Sequence, residues 1–230
     1  MDSSSALAGR LKEAQAFIFD LDGTLYDTHG FAWRLIQVRP WEGFLIAAER
    51  MTRKGLAGAD YGSPEAYYQE VFSRMSRITG KAPEWLRNWY TDCYMPRMCQ
   101  VLQKYYHPRP RTAELLAGLV QGSFPFAVYS DYPAGVERLA ALGLDPGVCS
   151  SAIYGPEHFG AQKPAIRPFV AIAQDLGVLS NRIIVVGDRD DTDGAGAAAA
   201  GMGYFPVMKE VAWETFTSLC LGIHDVAHLF

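Results

Sequence analysis

The chain has 230 residues, 49% hydrophobic and 20% charged, with 25 Asp and Glu against 21 Lys and Arg. These proportions exclude a disordered or collagen-like chain, and the length allows one large α/β domain or a core carrying an inserted module. The net charge of −4 gives no overall basic field for nucleic acid, and no apolar run nears the ~20 residues of a membrane span.

The segment Met1 to Gln15 is polar and helix-like rather than a charged start followed by an apolar stretch, so a cytoplasmic protein is expected. Gln15 to Asp20 is a short apolar run ending in an acidic, Gly-containing turn, the pattern of a buried strand in a parallel sheet. From Phe31 to Tyr106 apolar and aromatic residues recur at helical spacing, and breakers at Gly55 to Ser63, Gly80 to Pro83 and Tyr94 to Pro96 divide the segment into four helices. Between Phe31 and His107 eleven Lys or Arg stand against seven Asp or Glu, a basic module on an acidic body that suits an anionic substrate. The aromatic stripe of this insert, Trp33, Trp41, Trp85 and Trp89 with the neighbouring tyrosines, is expected in its core.

The Pro- and Arg-rich run His107 to Arg111 reads as a linker. Alternation follows: a helix at Thr112 to Val120, a strand at Phe126 to Ser130, a helix opened by Pro133 and closed by Gly143, and a strand at Val148 to Tyr154. A helix at Ile166 to Leu176, a strand at Arg182 to Asp188, a helix at Gly194 to Ala200 and a strand at Gly203 to Met208 complete the pattern. It predicts an α/β fold with a doubly wound parallel sheet, residues 1–29 and 108–230 forming the core and 30–107 an inserted helical domain. The cysteines Cys93, Cys99, Cys149 and Cys220 make no CxxC pair and are expected as reduced, buried thiols.

Four polar clusters fall where strands end: Asp20 with Asp22 and Thr24, Ser130 with Asp131, Lys163 before its helix, and Asp188 with Asp193. A single D-x-D after a strand ordinarily shapes a turn or caps a helix, but four clusters at one edge of a sheet describe a site. Phosphoryl transfer asks a protein for a nucleophile, a cation and fixed donors. A carboxylate can form an acyl-phosphate, the hard oxygens of Asp20 and Asp188 suit Mg²⁺, and Lys163 balances the charge. The hydroxyls of Thr24 and Ser130 can bind phosphate oxygens.

The runs FDLDGTLYD, YSD, QKP and VGDRDDTDGAGAAAAGM resemble the four ordered motifs of the haloacid dehalogenase superfamily. The resemblance covers the chain outside the insert. It implies that Asp20 attacks phosphorus, that Asp22 protonates the leaving oxygen and then activates water, and that Asp20, the Asp22 carbonyl and Asp188 hold Mg²⁺. Asp193 would be a further ligand or stand behind the ligands, while Thr24, Ser130 and the adjoining Asp131 serve the phosphoryl group and Lys163 ties it to Asp20. Such an insert implies a helical cap that closes over the site and selects the substrate, with Tyr26, Asp27 and His29 at its entry.

A small phosphorylated metabolite is the expected partner of a monomer or homodimer, with no nucleic acid and no membrane. Asp22 argues against carbon–halogen hydrolysis, for which the family's dehalogenases lack an aspartate there. The alternatives are a sugar phosphomutase, a phosphonate hydrolase using Lys54 or Lys81, and a silent binding protein.

Overall fold

The computed structural model describes residues 9, 11, 13–145, 147, 152–207 and 210–224, without the side chains of 210, 223 and 224. Five strands, β1 (Ala16–Phe19), β2 (Phe126–Tyr129), β3 (Ile153–Tyr154), β4 (Ile183–Gly187) and β5 (Gly203–Pro206), form one sheet in the order β3-β2-β1-β4-β5. Every pairing is parallel, with Phe17 opposite Phe126 on one side and Ile184 on the other. Residues 148–151 and Met208, part of the strands expected at 148–154 and 203–208, lie outside the described residues, as do Cys149 and most of Met1 to Gln15.

The period of two along a strand divides the core. Phe17 and Phe19 point to one face, where they meet helices α6 (Thr112–Gln121) and α11 (Glu210–His224) through Leu115, Leu119, Trp213 and Phe216. Ala16 and Ile18 point to the other, against Phe169 and Ile172 of α9 (Ile166–Leu176) and Ala197 of α10 (Ala195–Ala199). Helices on both faces of a parallel sheet make the doubly wound α/β fold, whose sites lie at the carboxyl ends of the strands. The short helices α7 (Gly135–Ala141) and α8 (Pro156–Phe159) flank β3.

Between β1 and β2 the chain is helical: α1 (Phe31–Val38), α2 (Gly43–Lys54), α3 (Pro64–Thr79), α4 (Pro83–Trp89) and α5 (Met95–Tyr105). Ser63 opens α3 by accepting from the Ala66 N–H at 3.2 Å, with Pro64 in the first turn, and Gly80 at φ 69° closes it. The break expected at Tyr94 to Pro96 does not occur. A π-turn over Tyr90–Tyr94, in which Met95 N–H donates to the Tyr90 carbonyl, widens the helix just before Pro96 and carries α4 into α5.

Only Trp89 of the four tryptophans is buried; Trp33, Trp41 and Trp85 are 61%, 76% and 45% exposed. The neighbouring tyrosines do fill the interior as expected, with Tyr67, Tyr90 and Tyr94 buried there beside Phe72. It also holds two charged networks: Arg97 and the Trp89 indole N–H donate to Glu42, and Arg53 pairs with Glu49.

The insert meets the core in three ways. At its ends the Tyr106 hydroxyl donates to the His29 carbonyl at 2.9 Å, and just outside them Arg109 N–H ties the two core segments of the chain together by donating to the Leu25 carbonyl at 2.7 Å. Along the 58–62 loop, Gly58 N–H donates to the Lys163 carbonyl at 2.9 Å, Gln162 N–H to Ala59 at 3.0 Å and Tyr61 N–H to Gly160 at 3.0 Å. In its interior, Arg53 donates to the Tyr67 and Tyr90 hydroxyls and to the Asp131 carbonyl, with its guanidinium 4.1 Å from the Tyr132 ring centre. The hydrophobic cluster on the Phe17 face runs without a gap into the insert.

Candidate active site

Asp20 follows the last residue of the central strand, and its N–H still donates to the Val186 carbonyl at 2.9 Å, so the sheet fixes where its side chain emerges. The next turn bends through Gly23 at φ 95°, and a Cβ there would collide with the Asp188 carboxylate, so glycine serves both the left-handed backbone and the close approach. Thr24 is buried and its hydroxyl donates to Asp20 Oδ2 at 3.0 Å. Lys163 Nζ donates to Asp20 Oδ1 at 2.6 Å and to Asp193 Oδ1 at 2.8 Å, all three side chains being buried.

Burial drives the Asp20 pKa well above the ordinary carboxylate range; Lys163 opposes this, while Asp193, Asp22 and Asp188 add to it. Burial would lower the Lys163 pKa, but Asp193, Asp20 and Asp131 outweigh it and hold the ammonium charged. Burial and the neighbouring Asp193 push Asp188 up to about 6. Asp188 Oδ1 is buried without a hydrogen-bond partner. Asp20, Asp188 and Asp193 each offer a carboxylate oxygen within 4.8 Å of the others. An excess of crowded carboxylate oxygens, one of them orphaned, fits a hard divalent cation such as Mg²⁺.

Asp22 sits across the turn and is fully committed. Its Oδ1 accepts from the Tyr26 hydroxyl at 2.5 Å and from Arg138, and its Oδ2 from the Ser130 hydroxyl at 2.9 Å. Burial would raise its pKa, but the Arg138 charge and these three donors bring it below the usual value. Asp131 Oδ1 accepts from the Lys163 N–H at 2.9 Å and so shapes the loop that delivers the lysine.

The eight residues singled out in the sequence therefore meet at one edge of the sheet. Thr24 and Ser130 do not present idle hydroxyls there; each donates to a carboxylate. At the insert's entry, Tyr26 is buried, Asp27 accepts from the His29 N–H at 2.9 Å, and His107 is exposed. Arg138 was missed, although its signal is legible: it falls beside Leu139 on the buried face of α7, where a charge requires a partner. Glu49 and Arg53 carry the same signal on α2.

Above Asp22 and Asp188 opens a cavity of about 410 Å³ walled by Phe31, Trp33, Met98 and Tyr132. Arg50 and Arg189 lie between it and a second cavity of about 530 Å³ that reaches Asp131 and Thr192.

Known proteins resemble this chain in sequence and in fold. The chain is 27% identical over 195 residues to an N-acetylmuramic acid 6-phosphate phosphatase of Pseudomonas aeruginosa, covering 83% of this chain and 82% of the relative. It is 26% identical over 212 residues to a glyceraldehyde 3-phosphate phosphatase of Methanothermobacter thermautotrophicus, covering 86% and 87%. Its fold matches that of a predicted phosphoglycolate phosphatase from Haemophilus somnus, with a TM-score of 0.58 at 20% identity over 84% of this chain and 85% of the other. L-2-haloacid dehalogenase from Xanthobacter autotrophicus shares it too, with a TM-score of 0.56 at 19% identity over 84% and 77%. Residues 14–201 match the profile described as haloacid dehalogenase-like hydrolase, and the chain belongs to that family.

Proposed function

We propose that the protein is a Mg²⁺-dependent phosphatase that hydrolyses a phosphate monoester of a small metabolite through an aspartyl-phosphate on Asp20. The observation that carries this reading is the Lys163 ammonium buried between Asp20 and Asp193, beside an unpartnered oxygen of Asp188. In the first step an Asp20 oxygen attacks phosphorus and the ester oxygen of the substrate leaves. In the second, a water oxygen attacks the same phosphorus, releasing inorganic phosphate and restoring the Asp20 carboxylate.

Thr24 and Lys163 hold the nucleophile in one orientation through both steps, and Lys163 offsets charge on the phosphoryl oxygens. Asp22, kept ionised and in place by Tyr26, Ser130 and Arg138, takes a proton from the attacking water; to give one to the departing oxygen first, the role the family resemblance implies, it must enter the cycle protonated against the pull of Arg138. Asp20, Asp188 and the Asp22 carbonyl would hold Mg²⁺, with Asp193 as a further ligand or just behind them. The ion supplies positive charge where the phosphoryl oxygens gather.

The relatives act on N-acetylmuramic acid 6-phosphate and glyceraldehyde 3-phosphate, which supports a small phosphorylated metabolite as substrate. We assign residues 1–29 and 108–230 to the catalytic core and 30–107 to a cap that selects it. A cytoplasmic location is supported by the free thiols Cys93, Cys99 and Cys220, and no helix among the described residues is long and apolar enough to cross a membrane. A monomer or homodimer is retained.

The test is phosphate release from a panel of phosphorylated metabolites by wild type and Asp20→Asn, with Mg²⁺ and with chelator. Release by wild type alone, abolished by chelator, is expected, with Asp20→Asn folded and silent. Substantial turnover by Asp20→Asn would remove Asp20 as the nucleophile.

A further inference from the structure

Eight arginines lie between Phe31 and His107, and seven have partners. Arg39 and Arg97 pair with Glu42, Arg53 with Glu49, and Arg74 and Arg77 with Glu70, while Arg34 and Arg87 lie over the rings of Tyr105 and Phe72. Arg50 is the exception. Its side chain is exposed and, among the described residues, makes no hydrogen bond, ion pair or ring contact.

Its position is as informative as its lack of a partner. Arg50 lines the cavity above Asp22 and Asp188 and also the adjoining cavity, to which Lys54, one turn further along α2, contributes a second unpaired cation. The acidic groups of these cavities are already committed: Asp22 to Arg138, Asp131 to the Lys163 backbone and Asp191 to Arg189, leaving the Asp188 oxygen that the cation site claims. No carboxylate neutralises the α2 pair. The same cavity is also lined by the large side chains Phe31, Trp33, Met98 and Tyr132. A volume of about 410 Å³ admits a sugar-sized body.

Resting on the phosphatase reading, we infer that the substrate carries a second anionic group, a carboxylate or a second phosphate, and that Arg50 binds it while the reacting phosphate lies at Asp20. The guanidinium fork matches either group bidentately, and Lys54 extends the positive field toward the opening.

The experiment compares matched pairs with Mg²⁺ present: glucose 6-phosphate against 6-phosphogluconate, and fructose 6-phosphate against fructose 1,6-bisphosphate. For wild type, kcat/KM should favour the second-anion member of at least one pair by roughly 10-fold or more, the worth of a charge-assisted pair. The two pairs separate carboxylate from phosphate. In Arg50→Gln the ratio should fall to about one, through KM rather than kcat, and Arg50→Lys should restore part of it. A wild type without preference, or an Arg50→Gln variant that keeps the preference, overturns the inference.

Calorimetric binding of the same compounds to Asp20→Asn, with and without Arg50→Gln, needs no turnover. Second-anion compounds should bind more tightly only when Arg50 is present, and equal affinities overturn the subsite. Failure of wild type to release phosphate from any compound, 4-nitrophenyl phosphate included, counts against the phosphatase reading alone.

Discussion

Asp22 shows how one residue's environment decides its role. A carboxylate that accepts from a tyrosine, a serine and a buried arginine is pinned in place and held ionised, which suits it to take a proton from water. Arg138 is the keystone, because it also donates to Ser130 Oγ at 2.9 Å and is itself wholly buried. Removing one partner of a buried pair typically costs ~3–5 kcal/mol, since the other charge is left unmatched. Arg138→Met should therefore lose stability of that order in urea denaturation and lose turnover with it. Arg138→Lys, which keeps the charge but cannot reach Asp22 and Ser130 together, should recover stability better than kcat. Full kcat in Arg138→Lys would show that charge alone, not the two-pronged contact, positions Asp22.

At the scale of elements, the strands and the four polar turns were legible because buried parallel strands are short apolar runs and the motifs sit at their ends. The insert was less so. A proline normally ends a helix, and nothing local in the sequence announces the π-turn that carries the chain through Pro96. Large aromatics normally fill cores, yet Trp33 lines the cavity over the site. The contact between the 58–62 loop and the Lys163 loop was hidden altogether, since backbone hydrogen bonds leave no side-chain pattern to read. That contact ties the insert to the loop that positions Lys163. Gly160 is its tightest point: its φ is 62°, and a Cβ would strike the Ser63 backbone. Gly160→Ala should cost about 1–3 kcal/mol in urea denaturation and lower kcat by shifting Lys163. Unchanged stability and kcat would mean that the two loops need not touch.

For the whole molecule, the carboxylate cluster is a charge load that folding must carry, and one the proposed Mg²⁺ would offset. Asp188, with a folded pKa of about 6 against an ordinary value near 3.9, binds more proton in the native than in the unfolded state between those two pH values. Metal-free protein should therefore lose stability as pH rises through that window, and the raised pKa of Asp20 pushes in the same direction. Asp22, whose pKa is lowered, acts only below the window, and Lys163, whose pKa is raised, only far above it. The two-unit gap, discounted because the Asp188 side chain is partly solvated, amounts to about 1–2 kcal/mol. In a chain of this size that corresponds to about 2–8 °C in Tm. Mg²⁺ should reverse the trend, because it binds the ionised cluster and displaces protons, so its stabilising effect grows from pH 5 to pH 7. Asp188→Asn removes the load and the ligand together: at pH 7 without metal its Tm should exceed that of wild type by about 2–8 °C, and Mg²⁺ should no longer raise it. If Mg²⁺ raised the Tm of Asp188→Asn as far as that of wild type, the cation would bind elsewhere, and the cluster would need another explanation for its unpartnered oxygen.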